Sequence, residues 1–554
     1  MASLKQLQKD DILFVAGETD NVYHHTAGLV ILDTSDCPEF DFDHFKSKTI
    51  ERIRKVPHFR WKLHEVPMGL DLPYWVEDEN FSYDNHIRRI AVPSPGDREA
   101  LAEVAAYLHS GRMNRDKPLW ELWFIEGLEG GRCAILQKLH HCMMDGQGAM
   151  KLGQLLCDLE PGAEPLPMDK TITSARAGSV PEWWRQSAAT ALHLARFPGA
   201  AYREVFGLLA PKLRNTFGGR DQSGREKAET PVACFNDHVG SERGFVFSSV
   251  SLERIKTVKN AFDVTVNDVV LALVGTSMRS YLQRRDELPQ LSLRAGVAVS
   301  LRSDEDDEFS NHVTQAGVTL ATDTDDLVRR IESIHGDGQA AKEMARAGGH
   351  GVIEVVQILP PILVNAMMHT TTPEQALQMI GANMVVSNIR GSDVPLYIAG
   401  ARMETMYPMS IITEGMGINF TCVSFAGHVD FGVIIDPRLV PDPWEIVDGL
   451  DAALQAYLAL AKKSGSRRKT RGGGKTAAKR KAAPRRKAPA KKKSPAKKKA
   501  PAKKKSAAGK RAPAKKQRAV TGGAASRRRA APKNKAAARR KAGAKKPVGR
   551  KKTT

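Results

Sequence analysis

The sequence predicts a mixed α/β (α+β) protein: two folded halves, a helical connector and a disordered basic tail. Three observations carry that prediction. Both halves interleave short β-branched or aromatic stretches with amphipathic segments of helical spacing. A stretch rich in Pro, Gly, Ser and charge, residues 161–240, separates them. Residues 464–554 hold 38 Lys or Arg and no Asp or Glu. The expected boundaries are therefore 1–160, 161–240, 241–463 and 464–554. At 554 residues the chain is too long for one ordinary core. Its net charge of +22 misleads as a single number. The 84 basic residues less those 38 leave 46 against 62 acidic ones, so the body carries about −16 and the tail all of the positive excess.

In the first half, "TAGLVILD" (Thr26–Asp33) reads as a strand of small and β-branched residues. Phe42–Lys55 reads as a helix, with Phe45, Ile50 and Ile53 on or near one face. Arg98–Gly111 is a second helix, ending on a glycine as helices commonly do. "LWELWFIEGL" and "RCAILQKL" read as strands flanking the turn Glu129–Arg132. The second of them delivers the chain into "HHCMMDG", after which the pattern turns helical through Leu152, Leu155 and Leu156.

In the connector, Pro181–Arg214 reads as two helices broken near Pro198. Trp183, Trp184, Leu192, Leu194, Phe197, Val205, Phe206 and Leu208 make it apolar enough either to pack on the two halves or to touch a bilayer surface. The second half opens with the strand "GFVFSSVSL" and the helix "ERIKTVKNAF". Thr265–Arg285 is a helix with Thr265 or Asn267 near its start. Four further strands read as "LRAGVAVSLR", "NMVVSNI", "MGINFTCVSFAG" and "HVDFGVIID". Asp442–Lys463 closes the body as an amphipathic helix, with Asp442 expected as N-cap and Pro443 at the first helical position.

Several classes are excluded by what the sequence lacks. The six cysteines show no CxxC pair, which argues against a disulfide framework or zinc site and fits a reducing cytosol. No cluster supplies a metal-ligand set, so no metal is expected. The start "MASLKQLQKDD" has no apolar signal core. The longest apolar run, Val352–Met368, is interrupted by Glu354 and Pro360-Pro361, so any membrane contact is expected to be peripheral.

The chemistry concentrates at His140, His141, Asp145 and Gly146. A neutral imidazole at a strand end can take a proton from a hydroxyl near neutral pH, because its pKa lies near the working pH. The oxygen so activated attacks a thioester or ester carbonyl, and no enzyme nucleophile is needed. In an extended segment neighbouring side chains point to opposite faces, so His141 is expected to work in a cleft while His140 is structural. Asp145 either orients His141 through a folded-back loop or anchors the loop to an arginine. The alternative is that Asp145 only caps a helix and the histidines are loop residues.

The pattern HHxxxDG resembles the acyl-CoA-dependent acyltransferases of the chloramphenicol acetyltransferase-like superfamily. The flanking residues narrow the likeness. Asp116–Gly146, with Pro118-Leu119-Trp120 ahead of the histidines, is similar to the bacterial wax ester synthase/diacylglycerol acyltransferase family. So are Asn267-Asp268, Ser300-Leu301-Arg302 and Ser387-Asn388, in the same order and spacing, and the likeness covers about residues 5–460.

The resemblance implies two chloramphenicol acetyltransferase-like sandwich domains with the active site between them. A tunnel would admit acyl-CoA from one side and diacylglycerol or a fatty alcohol from the other. Acyl-CoA is then a substrate, and no cofactor is implied. His141 would be the general base and Asp145 an orienting or structural residue paired with Arg302. Asn267 would bind substrate or support the carbonyl oxygen on which charge develops. Asp268, Gly146, Ser387 and Asn388 are further candidates for the substrate site. Helix-start capping is an equal alternative for Asn267 and Asp268, as is strand-start packing for Pro118-Leu119-Trp120. The chain departs from the family pattern at Asp263, Ala298, Arg390 and Phe425, where glycine, proline, proline and tyrosine are usual.

The tail contains "PAKKKSPAKKKAPAKKK" (Pro489–Lys505), has nothing apolar to bury and repels itself, so disorder is expected. Its charge suits nucleic acid or another polyanion, or an anionic membrane or lipid-droplet surface. Together these readings predict a cytoplasmic O-acyltransferase, peripherally associated with the inner membrane or lipid droplets. The rival is a weakly active scaffold tethering lipid bodies to nucleic acid.

Overall fold

The computed structural model describes residues 5–143, 155–163, 229–300, 313–346 and 359–472, with isolated positions between 176 and 191. The chain divides into a unit at Met1–Ala477 and a second at Ala478–Thr554. The second lies outside the described residues, as do all eight apolar residues singled out in the connector.

The strands of the first half are β1 (His25–Asp33), β2 (Trp61–His64), β3 (Tyr74–Glu77), β4 (Ile87–Ala91), β5 (Trp120–Glu126), β6 (Cys133–His140) and β7 (Cys157–Asp158). Those of the second are β8 (Gly244–Ser251), β9 (Arg294–Ser300), β10 (Val313–Thr319), β11 (Met384–Arg390), β12 (Tyr397–Ile398), β13 (Ala401–Met409), β14 (Ile418–Phe425) and β15 (His428–Ile435). One sheet has the order β4-β5-β6-β1-β13-β12-β7, the other β10-β9-β11-β14-β15-β8, and β2 and β3 form a separate hairpin.

This order corrects the expected partition. β12 and β13 come from the second half of the chain yet complete the first sheet, where Ala27–Asp33 pairs antiparallel with Arg402–Met409. Without β13, the buried β1 would present a row of unpaired N–H and C=O groups, which a buried strand does not tolerate. The exchange locks the two sheets together. Asp430 of β15 is fully buried and accepts from the Met406 N–H of β13 at 2.9 Å and the Ser249 hydroxyl of β8 at 2.6 Å. Gly432 lies so close to the Pro408 carbonyl that no Cβ fits there.

The helices are α1 (Ile12–Ala16), α2 (Phe42–Ile53), α3 (Arg98–Ser110), α4 (Leu252–Phe262), α5 (Val266–Arg284), α6 (Leu327–Arg346), α7 (Pro361–Thr370), α8 (Pro373–Ile380) and α9 (Trp444–Gly472). Local chemistry sets their ends. Asp41 and Asp97 cap α2 and α3 by accepting the His44 and Ala100 N–H groups. Thr265 and Asp268 form a reciprocal capping box at the start of α5. The closing helix starts at Trp444, not at Pro443, because Asp442 sits in the left-handed region (φ 48°). α5 is largely buried, with Val269, Val270, Leu273 and Val274 at 0% exposure, and packs against Leu450, Leu454 and Tyr457 of α9 in one core. A second core joins the halves: Leu101, Ala105 and Leu108 of α3 meet Leu29 of β1 and Phe245 and Phe247 of β8. No single helix among the described residues is long and apolar enough to cross a membrane.

Asp263, one of the family departures, ends α4 in the left-handed conformation (φ 57°, ψ 48°). A Cβ is penalised there and glycine is not. Asp263→Gly is therefore expected to stabilise the fold by about 1 kcal/mol. Chemical denaturation checks it, and an unchanged or lower midpoint would refute the strain.

Candidate active site

β6 ends at His140, and the chain bends at once into a one-turn 3-10 segment, His141–Met143. Strand alternation therefore stops at His140, and the two rings do not simply oppose each other. Both meet the N-terminal segment 14–24. The His141 ring stacks on Phe14, with centroids 3.6 Å apart and planes 18° apart. Its backbone N–H donates to the His24 carbonyl at 2.8 Å, which ties the turn to β1's approach.

His140 is 1% exposed. The Cys142 N–H donates to its Nδ1 at 3.3 Å, so the ring proton sits on Nε2 and is donated to Glu18 Oε1 at 3.2 Å. Glu18 is the residue the sequence reading missed. Only 4% exposed, it accepts from the His24 N–H at 2.9 Å, Arg115 at 2.8 Å and Arg112 at 3.4 Å. Burial alone would push its carboxyl up. The His140 hydrogen bond and the Arg115 guanidinium outweigh that and hold it well below the usual carboxylate range. Its one sequence signal was an acid inside an apolar stretch, "ILFVAGETDNVYHH", six residues before a second histidine pair.

Burial lowers the pKa of His141 to about 4, with His140 adding to the shift. His24, whose Nδ1 faces the Phe14 carbonyl at 3.1 Å, is likewise lowered to about 4 by burial. Both rings are neutral at pH 7, so His141 needs no prior deprotonation to act as a base. The sign for stability follows. Between pH 6.5 and 4 these histidines bind protons when unfolded but not when folded, so stability falls as pH falls through that window. Each is expected to cost about 2 kcal/mol by pH 5. A melting temperature that stays level from pH 7 to 5 would contradict the burial of these rings.

Behind the histidines, Lys138 of β6 is 3% exposed and donates to the Leu108 carbonyl at 2.9 Å and to the Gly111 carbonyl. Burial brings it down to about 8. His25 Nε2 meets the His109 carbonyl at 2.7 Å. The carbonyls at the end of α3 are thus satisfied by side chains from β1 and β6, the strands that lead to the base. A cavity of about 230 Å³ reaches Glu18 and is lined also by Val15, Met68, Arg112, Arg115 and Ile362. Helix α7 covers α1 here: Val364 is fully buried against Ile12, while Ile362 and Leu363 stay 42% and 45% exposed.

The other expected site residues lie elsewhere. Asp268 is buried, closes the α5 capping box, and accepts from His335 Nδ1 of α6 at 2.7 Å; Gln339 donates to the other ring nitrogen. Asn267 is half-buried beside it. Ser387 and Asn388 lie on β11, with the Asn388 carbonyl oxygen facing the Cys422 thiol at 3.5 Å. Among the described residues no hydrogen bond or ring contact joins any of these four to His141. Asp145, Gly146 and Arg302 lie outside the described residues. Leu119 and Trp120 are core residues, 0% and 1% exposed, and the Trp120 indole donates to the Phe59 carbonyl, so packing is their role. Among the described residues no group of three or more His, Cys, Asp or Glu could hold a metal.

Comparison with known proteins accounts for this arrangement. The wax ester synthase/diacylglycerol acyltransferase catalytic domain matches residues 7–270, and the C-terminal domain of the same family matches residues 309–457. A Mycobacterium tuberculosis protein named "Probable diacyglycerol O-acyltransferase tgs2" is 32% identical over 81% of this chain and 98% of its own length. The chain belongs to the wax ester synthase/diacylglycerol acyltransferase family. The family's O-acyltransferase WSD from Acinetobacter baylyi is 29% identical over 83% of this chain and 98% of its own. The solved wax ester synthase/diacylglycerol acyltransferase of Marinobacter aquaeolei VT8 has 28% identity and a TM-score of 0.61, covering 83% of this chain and all of that one. The two-sheet architecture is thus that of the family. The match ends near the start of the basic tail.

Proposed function

We propose that this protein transfers a fatty acyl group from acyl-CoA to the hydroxyl of diacylglycerol, giving triacylglycerol and CoA, and to long-chain alcohols, giving wax esters. The observation that carries the reading is His141: a neutral, mostly buried imidazole at the end of β6, in a chain matched along both halves to this family. In the reaction His141 takes the acceptor's hydroxyl proton as its oxygen bonds to the thioester carbonyl carbon. The tetrahedral intermediate collapses with cleavage of the C–S bond. The imidazolium returns the proton to the departing CoA sulfur, so the ring is restored and no acyl-enzyme forms. Phe14, stacked on the ring, keeps water from it. Glu18 and His140 fix the bend from which His141 projects.

The exposed apolar residues Met68, Ile362 and Leu363 beside the cavity support a peripheral position on a lipid surface, the inner membrane or a lipid droplet, of a cytoplasmic protein. The tail adds attachment to a polyanion. No observation at the site favours the scaffold alternative. Incubating purified protein with palmitoyl-CoA and either diacylglycerol or hexadecanol tests the activity by the free thiol released. Absence of release with every acceptor would end the proposal.

A further inference from the structure

Acyl transfer leaves residues 464–554 without a role. We propose that this segment binds double-stranded nucleic acid through its phosphates, without reading base sequence. The proposal rests on the polyanion reading of the tail and names the polyanion.

The charge pattern carries it. The segment holds 24 Lys and 14 Arg, and no acid to compete for them. Pro489, Pro495 and Pro501 each precede Ala and a lysine triplet. At about 3.1 Å per residue such a six-residue repeat spans roughly 19 Å, along which a duplex offers about eleven phosphates. Every lysine can therefore meet a phosphate. The arginines add fork-shaped donors suited to phosphate oxygens.

What the segment lacks decides between partners. It has no Phe, Tyr, Trp or His, so it has no ring on which unpaired bases can stack, and single strands gain nothing over a duplex. It has no Leu, Ile, Met or Phe either, so nothing is available to insert below lipid headgroups. Lipid-facing side chains belong instead to the folded part, at Met68, Ile362 and Leu363. That part carries a net charge of about −16 and repels a polyanion, so the contact is confined to the tail. The final helix α9 runs on to Gly472, so the first basic residues, Arg467 and Arg468, continue directly from the folded body.

The test uses the full chain and a full-length variant with Lys491, Lys492, Lys493, Lys497, Lys498, Lys499, Lys503, Lys504 and Lys505 changed to Gln. Binding to a short fluorescein-labelled DNA duplex is followed by anisotropy over a salt series, with unlabelled duplex, unlabelled single strand and anionic phosphatidylglycerol vesicles as competitors. The expected result is a steep fall of affinity with salt, whose log–log slope is shallower in the variant by up to about eight. The duplex should compete better than the single strand or the vesicles. Equal slopes for the two proteins, or more effective competition by vesicles, would overturn the proposal. Binding to neither duplex nor vesicles would overturn the polyanion reading with it. Thiol release from palmitoyl-CoA reads the acyltransferase separately and should be the same in both proteins.

Discussion

His141→Ala is expected to lower kcat for thiol release about 10²- to 10⁴-fold, the range that a positioned general base supplies. The KM for acyl-CoA should change little, because the lost interaction is made only as the acceptor's proton moves. The fold should survive. The backbone N–H at position 141 still donates to the His24 carbonyl after the substitution, and the ring's remaining contact is the stack on Phe14. The wild-type rate has a second signature. Burial holds the His141 pKa at about 4, so the acid limb of the kcat/KM profile should lie well below the 6.5 of an ordinary histidine. Wild-type turnover in the His141→Ala protein, or an acid limb near 6.5 in the native one, would remove His141 from the chemistry.

The second large effect is expected at Glu18. Its carboxylate is nearly inaccessible and is shared by the His24 N–H, His140, Arg115 and Arg112. Glu18→Ala strands a buried arginine and a buried histidine proton without an acceptor, and removal of one partner from such a network costs about 3–5 kcal/mol. The melting temperature should fall by roughly 5–10 °C. Glu18→Gln keeps the volume and one acceptor, so it should recover part of the stability. Its kcat should stay low, because Nε2–H of His140 then meets a weaker acceptor and the bend carrying His141 loosens. If Glu18→Ala melts at the wild-type temperature, the network does not hold the corner. If Glu18→Gln keeps full kcat, the carboxylate positions nothing.

Much of the fold was legible because its signals are local. β5 and β6 alternate as strands do, Asp97 and Gly111 bracket α3, and Thr265 with Asp268 writes a capping box in four residues. β13 was not legible. "ARMETMYPM" has weak alternation and a proline, and it becomes a central strand only because β1 needs a partner on its free side. Asp442 was read as an N-cap from residue type alone, whereas its positive φ moves the helix start to Trp444. Glu18 was missed because a lone acid in an apolar stretch has no motif. Its meaning comes from residues 94 to 122 positions away.

The sequence by itself determined the chemistry and the family. His140-His141, the motifs around them and the split between an acidic body and a basic tail are properties of residue order, and no folding is needed to see them. Only the tertiary structure decided what sets the base to work. Burial makes His141 neutral, Phe14 covers it, Glu18 fixes its neighbour, and a strand from the second half closes the sheet that carries it. The physical reason is that pKa, burial and strand pairing depend on groups brought together across the chain, while composition and spacing report only on neighbours along it.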